Sequence, residues 1–201
     1  GTQFTDWIRK RDRRMALEVD SSFLNYEILE VLLKEFPDAR YILTIRDCYS
    51  WLDSLFNHSL RLKENKDPRW LKLPQIWPPS EPLMHAPEEY ELKERGLGTL
   101  DRQFSWWTRR ISTVLTKASA AQLLVVRTDE ITNRAFEIAD FCGLPSHAVR
   151  KDRSHAFFGS EKCGILRRID RAFVETKVEK HCRELMTRFF PEIRSIDDAR
   201  L

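Results

Sequence analysis

No run of eighteen apolar residues occurs in this sequence, so it encodes no membrane-spanning helix. No signal-peptide pattern is visible at its start. The four cysteines, Cys48, Cys142, Cys163 and Cys182, form no C-x-x-C pair and no Cys/His cluster with zinc-ligand spacing. Cys142 and Cys182 fall on apolar helix faces, where a free cysteine serves as a small core residue. The set suits a reducing compartment, and a cytoplasmic location is the expectation. An excess of one charge is missing too: 34 basic against 31 acidic side chains leave +3. That permits a local basic pocket but does not make a nucleic-acid-binding surface. There is no internal repeat and no Gly-Lys-Ser/Thr loop. What remains is ordinary apolar content with 32% charged residues in 201 positions, which fits a single globular domain, 1–201.

The chain alternates strands and helices. Met15–Val19 reads as a short strand, followed by Asp20, Ser21 and Ser22 as N-cap side chains. Leu24, Ile28, Val31, Leu32 and Phe36 then recur at helical spacing. Tyr41–Ile45 is a strand, and Trp51, Leu52, Leu55, Phe56 and Leu60 mark a second helix. Residues 63–100 carry six prolines with Trp70 and Trp77 among them, so they cannot form one long helix. They read as an inserted excursion over a cleft. Phe104, Trp107, Ile111, Val114 and Leu115 give a further helix, and Gln122–Arg127 a strand apolar on both faces. Thr132 caps a helix that Gly143-Leu-Pro145 stops. A last helix runs from about Asp170 to Phe190. The pattern implies an α/β fold, a parallel sheet flanked by helices, with ligands beyond the carboxyl ends of the strands.

Arg46 and Arg127 both stand at such ends. Arg46 closes the strand in Phe36-Pro-Asp-Ala-Arg-Tyr-Ile-Leu-Thr-Ile-Arg-Asp47, and Ser54 follows it by eight residues near the start of the next helix. A cation, a hydroxyl and the amino end of a helix converging on one anion make a phosphate site.

These residues, with Leu123-Leu-Val-Val-Arg-Thr-Asp-Glu-Ile131 and Phe141-Cys-Gly-Leu-Pro145, resemble the sulfotransferase superfamily. The resemblance covers roughly residues 18–62 and 104–190 and implies a P-loop NTPase-like fold. It also implies 3′-phosphoadenosine-5′-phosphosulfate (PAPS) as the sulfuryl donor. By that resemblance Arg46 and Ser54 hold the donor's 3′-phosphate, the guanidinium as a forked donor and the hydroxyl as a third. The family also supplies cations from a late loop, for which Arg153, His155, Lys162, Arg167 and Arg168 are available. Lys162, between Gly159 and Gly164, is favoured, because glycines let backbone approach a phosphate closely. Thr128 stands where relatives often carry an aromatic residue beside the donor nucleoside, and a threonine offers no stacking face. The family's 5′-phosphosulfate loop reads Lys-x-Gly-Thr-Thr. No complete loop of that kind is present in the sequence, and Gly1-Thr2 is either the tail of one or an accident.

Sulfuryl transfer needs a base for the acceptor's proton. In carbohydrate-acting relatives a glutamate ends the strand before the 3′-phosphate strand. Glu18 and Asp20 stand at that place, Glu18 first and Asp20 next, with Asp20 also placed as an N-cap. The acceptor is a small molecule or a carbohydrate, and Trp106 and Trp107 join Trp70 and Trp77 as aromatic faces for it. Two alternatives stand beside this reading. One is a P-loop nucleotide kinase or phosphotransferase, which needs a Gly-Lys-Ser/Thr loop and magnesium carboxylates. The other is a non-catalytic nucleotide-binding protein of the same fold.

Overall fold

The computed structural model of the chain describes residues 2–65, 84–153 and 162–201. Residues 1–45 with 110–151 form one compact unit, and residues 46–109 with 152–201 form another. Among the described residues, no helix is long and apolar enough to cross a membrane.

The first unit is α/β. Helix α1 (Thr2–Met15) buries Ile8, and Ala16 then takes a left-handed φ of 46°, which turns the chain out of the helix. Met15 therefore closes a helix and residues 16–22 are irregular, so the strand expected at 15–19 is not formed. The helix expected after Asp20 begins instead as a 3-10 segment, Phe23–Ile28, and becomes α2 only over Leu29–Glu35. Strand β1 (Tyr41–Ile45) lies parallel to β2 (Leu123–Arg127), with Tyr41 opposite Leu123 and Ile45 opposite Arg127. Bonds from Tyr41 N–H to Gln122 O (2.7 Å) and from Thr128 N–H to Ile45 O (2.8 Å) extend the ladder at both ends.

The sheet is less covered than the apolar runs imply. Ile42 and Thr44 are exposed, and in β2 only Val126 is fully buried. A helix labelled here α6 (Ala135–Phe141) starts three residues after Thr132, with Arg134 at its cap position. Arg134 donates to Val125 O at 2.9 Å and forks onto Glu137 at 2.7 Å, which fixes the turn there. Gly143 stops α6 as expected: its φ is 72°, Leu144 N–H reaches Ala139 O at 2.8 Å and Gly143 N–H reaches Asp140 O at 2.9 Å.

The second unit is helical. It contains α3 (Cys48–Asn65), α4 (Tyr90–Glu94), the first part of α5 (Leu100–Lys117), and α7 (Arg171–His181) followed by α8 (Arg183–Phe189). Helix α3 runs through Asn65, past the start set for the excursion, of which residues 66–83 lie outside the described residues. The carboxylate of buried Glu89 organises the remainder, accepting from Ala86 N–H at 2.9 Å and from Leu100 N–H, the first residue of α5, at 2.6 Å. The single terminal helix expected from Asp170 to Phe190 is two, broken at Cys182. There the His181 carbonyl accepts the Thr108 hydroxyl at 2.6 Å. Cys182 is fully buried as expected, whereas Cys142 is only half-buried.

Candidate functional site

Helix α3 carries the site. Tyr49, Leu52 and Phe56 are its buried apolar face, each worth about 2 kcal/mol of burial, which fixes the rotation of the helix. Its amino end is closed by its own side chain. Asp47 Oδ1 accepts Ser50 N–H at 2.9 Å, Asp47 O accepts Trp51 N–H at 2.9 Å, and Cys48 N–H points at Met186 Sδ, 3.4 Å away. The free N–H groups expected at this helix start are thus largely taken, because an aspartate directly before a helix is a strong N-cap.

Arg46 precedes that cap. Its Nε donates to Ser50 Oγ at 2.9 Å, Ser50 Oγ in turn donates to Asp47 Oδ2, and Trp107 Nε1 donates to the Arg46 backbone carbonyl at 3.1 Å. Among the described residues no carboxylate pairs with Arg46. Arg127, the other strand-end arginine, differs: its guanidinium is held by Asp129 at 2.9 and 3.2 Å. Ser54 lies one turn beyond Ser50 on α3 with its side chain exposed.

Two turns along α3 from Ser50 a second anchor joins the site to the late segment. Buried Asn57 donates to Asp53 Oδ2 at 3.0 Å, and its Oδ1 accepts Cys163 N–H at 2.8 Å. Lys162, exposed, is the residue before this anchor, and Gly164, with φ 61°, is the one after it. Arg167 is exposed in the 3-10 turn Leu166–Arg168, while Arg168 donates to Cys163 O at 3.3 Å and approaches Glu91 at 3.9 Å. Arg46 thus precedes α3, Ser54 lies on it, and the segment after Lys162 is tied to it through the Asn57–Cys163 bond. Arg153 ends a short 3-10 turn with its side chain outside what is described, and His155 lies outside the described residues.

Thr128 has an exposed side chain, and its backbone extends the β ladder. Glu18 is exposed in the irregular stretch after α1, not on a strand. Asp20 is ion-paired with Arg11, and its backbone carbonyl, not its carboxylate, accepts Asn25 Nδ2 at 3.2 Å. Its carboxylate therefore does not serve as the expected helix cap. Trp107 is buried and committed to Arg46, and Trp106 packs against Trp51 with ring centroids 5.7 Å apart, while Trp70 and Trp77 lie outside the described residues.

Sequence reading missed Asp47, Ser50 and Asn57, and it gave Trp107 to the acceptor rather than to Arg46. The first two had a signal, since Asp47 abuts a helix and Ser50 stands four residues from Arg46. The others depend on contacts distant in sequence.

A family model described as a sulfotransferase domain matches residues 19–142, more than half of the chain, and takes in Asp20, Arg46, Ser54 and Thr128. No curated protein and no solved structure matches the chain.

Proposed function

This chain belongs to the sulfotransferase family, and from that premise we propose that it moves a sulfuryl group from PAPS to a hydroxyl or amine of a small-molecule or carbohydrate acceptor. One observation carries the donor assignment. Arg46, steadied through Nε, has no carboxylate partner among the described residues and stands just ahead of α3, eight residues before an exposed serine on that helix. A guanidinium with an open pair of N–H groups and a nearby hydroxyl suits a phosphate monoester. The P-loop NTPase-like form of the fold belongs to the same proposal.

PAPS, when bound, supplies the sulfuryl group and a phosphate leaving group. In this reading Arg46 and Ser54 grip the 3′-phosphate. Lys162 adds positive charge, with Arg167, Arg153 and His155 as further cations of the same late segment. Thr128 borders the nucleoside without stacking on it. Glu18 takes the acceptor's proton. It is exposed, whereas Asp20, the other carboxylate of that stretch, is occupied by Arg11. Residues 63–100 shape the acceptor side of a single domain.

The test uses the desulfonated product, 3′-phosphoadenosine-5′-phosphate. At about a hundred times its Kd it stabilises the folded chain by about 2.7 kcal/mol. Arg46→Ala removes most of the resulting rise in Tm. A well-folded chain that gains no stability from this nucleotide rules out the donor assignment.

A further inference from the structure

We propose that Ser50, backed by Asp47, is a positioning residue that aims the Arg46 guanidinium at the donor's 3′-phosphate. The proposal rests on the reading of Arg46 given above. Ser50 is 3% exposed, and its hydroxyl has one proton, which goes to Asp47 Oδ2. As acceptor the same oxygen takes Arg46 Nε–H at 2.9 Å. It therefore has no donor left for a phosphate and is itself no ligand. What it does is hold one corner of a planar fork.

A guanidinium presents five N–H groups in fixed directions, so anchoring Nε sets where both Nη groups point. A carboxylate bonded directly to Arg46 would occupy the fork. Here the hydroxyl stands between them. Asp47 is buried at 7% exposure and compensates the cation at one remove, leaving the Nη pair open to a dianionic ligand. The backbone is held as well, since Trp107 donates to the Arg46 carbonyl at 3.1 Å. Arg46 is thus fixed at its main chain and at Nε, so its fork keeps one aim before the ligand arrives. That preorganisation reduces the cost of ordering a long side chain on binding.

The experiment compares binding of 3′-phosphoadenosine-5′-phosphate with binding of adenosine 5′-monophosphate, which lacks the 3′-phosphate, by calorimetric titration of the full chain. Ser50→Ala weakens the first by about tenfold and leaves the second unchanged. Ser50→Thr, which keeps the hydroxyl, restores the preference. Ser50→Cys keeps the volume but offers a poor acceptor, and it shows the same loss as alanine even if alanine impairs folding. In an Arg46→Ala background, Ser50→Ala has no further effect. The role is overturned if Ser50→Ala and Ser50→Cys retain the preference for the 3′-phosphate, or if the Ser50 loss adds in full to that of Arg46→Ala. Wild-type binding by Arg46→Ala overturns instead the assignment of Arg46 on which this rests.

Discussion

The side-chain carbonyl of Asn57 accepts the backbone N–H of Cys163 at 2.8 Å, tying α3 to a segment 106 residues further along the chain. Asn57 also donates to the buried carboxylate of Asp53 at 3.0 Å. Asn57→Ala removes both bonds. The Asp53 carboxylate is buried and its lost bond costs about 1–3 kcal/mol, while the exposed Cys163 residue can turn to water, so a loss of about 1–3 kcal/mol is expected in denaturant unfolding. The Cys163 amide should also lose its protection from hydrogen exchange. Unchanged stability together with unchanged exchange would mean that this anchor contributes nothing.

Trp107→Phe removes the indole N–H that holds the Arg46 carbonyl and leaves a small void at a position only 3% exposed. Destabilisation of about 1–3 kcal/mol is expected, with affinity for 3′-phosphoadenosine-5′-phosphate lowered a few-fold. Thermal unfolding and nucleotide titration on the same preparation separate the two effects. Loss of stability with full affinity would make Trp107 a packing residue only.

Glu18→Gln keeps the size of the side chain but removes a base. Turnover should fall by about a hundredfold or more while nucleotide binding is spared. Asp20→Asn breaks the pair with Arg11 and should cost less than about 1 kcal/mol at this partly exposed site, with turnover retained. A steady-state assay with labelled PAPS reads both. If the pattern inverts, the base is Asp20.

Asp101 sits among Lys177, Lys180 and His181, with His181 Nε2 at 2.6 Å and Lys180 Nζ at 2.9 Å. Partial burial pushes its carboxyl up, but hydrogen bonds from His181, Lys177 and Lys180 outweigh that and hold it well below the usual aspartate range. A depressed folded pKa gives stability that is present above the unfolded value, near about 4, and is lost as pH falls through the folded one. The carboxylate is 38% exposed, so solvent screening limits the effect to about 1 kcal/mol at neutral pH. Asp101→Asn should therefore lower Tm at pH 7, and its deficit should shrink as the pH is taken below about 4. A deficit that stays constant over that range would exclude the carboxylate's charge as the cause.

The elements with a strong local pattern were legible. Tyr41–Ile45 is a short β-rich run after Phe36-Pro37, and it is the strand observed. Gly143 was readable as a stop because only a left-handed residue closes that motif. The stretch around Met15 misled because a few apolar residues fit either period. The apolar residues Phe4, Trp7 and Ile8, at i, i+3 and i+4, were the better signal for α1. The break at Cys182 was invisible, since the apolar period runs through it and the bond made there comes from a hydroxyl on another helix. At the site, Arg46 and Ser54 were singled out by their place in a strand-turn-helix and by the family resemblance. The arrangement that steadies Arg46 was not, because a tryptophan 61 residues away supplies part of it.

One consequence of α3 concerns change in length. Arg46 and its steadying serine, Ser54 and the Asn57 anchor all lie within about three turns, so one rigid ruler sets their spacing. The helix ends at Asn65, ahead of the proline-rich residues assigned to the acceptor. Insertions or deletions beyond Asn65 leave that ruler intact. The segment proposed to shape the acceptor side is thus free to diverge without recalibrating the proposed grip on the donor.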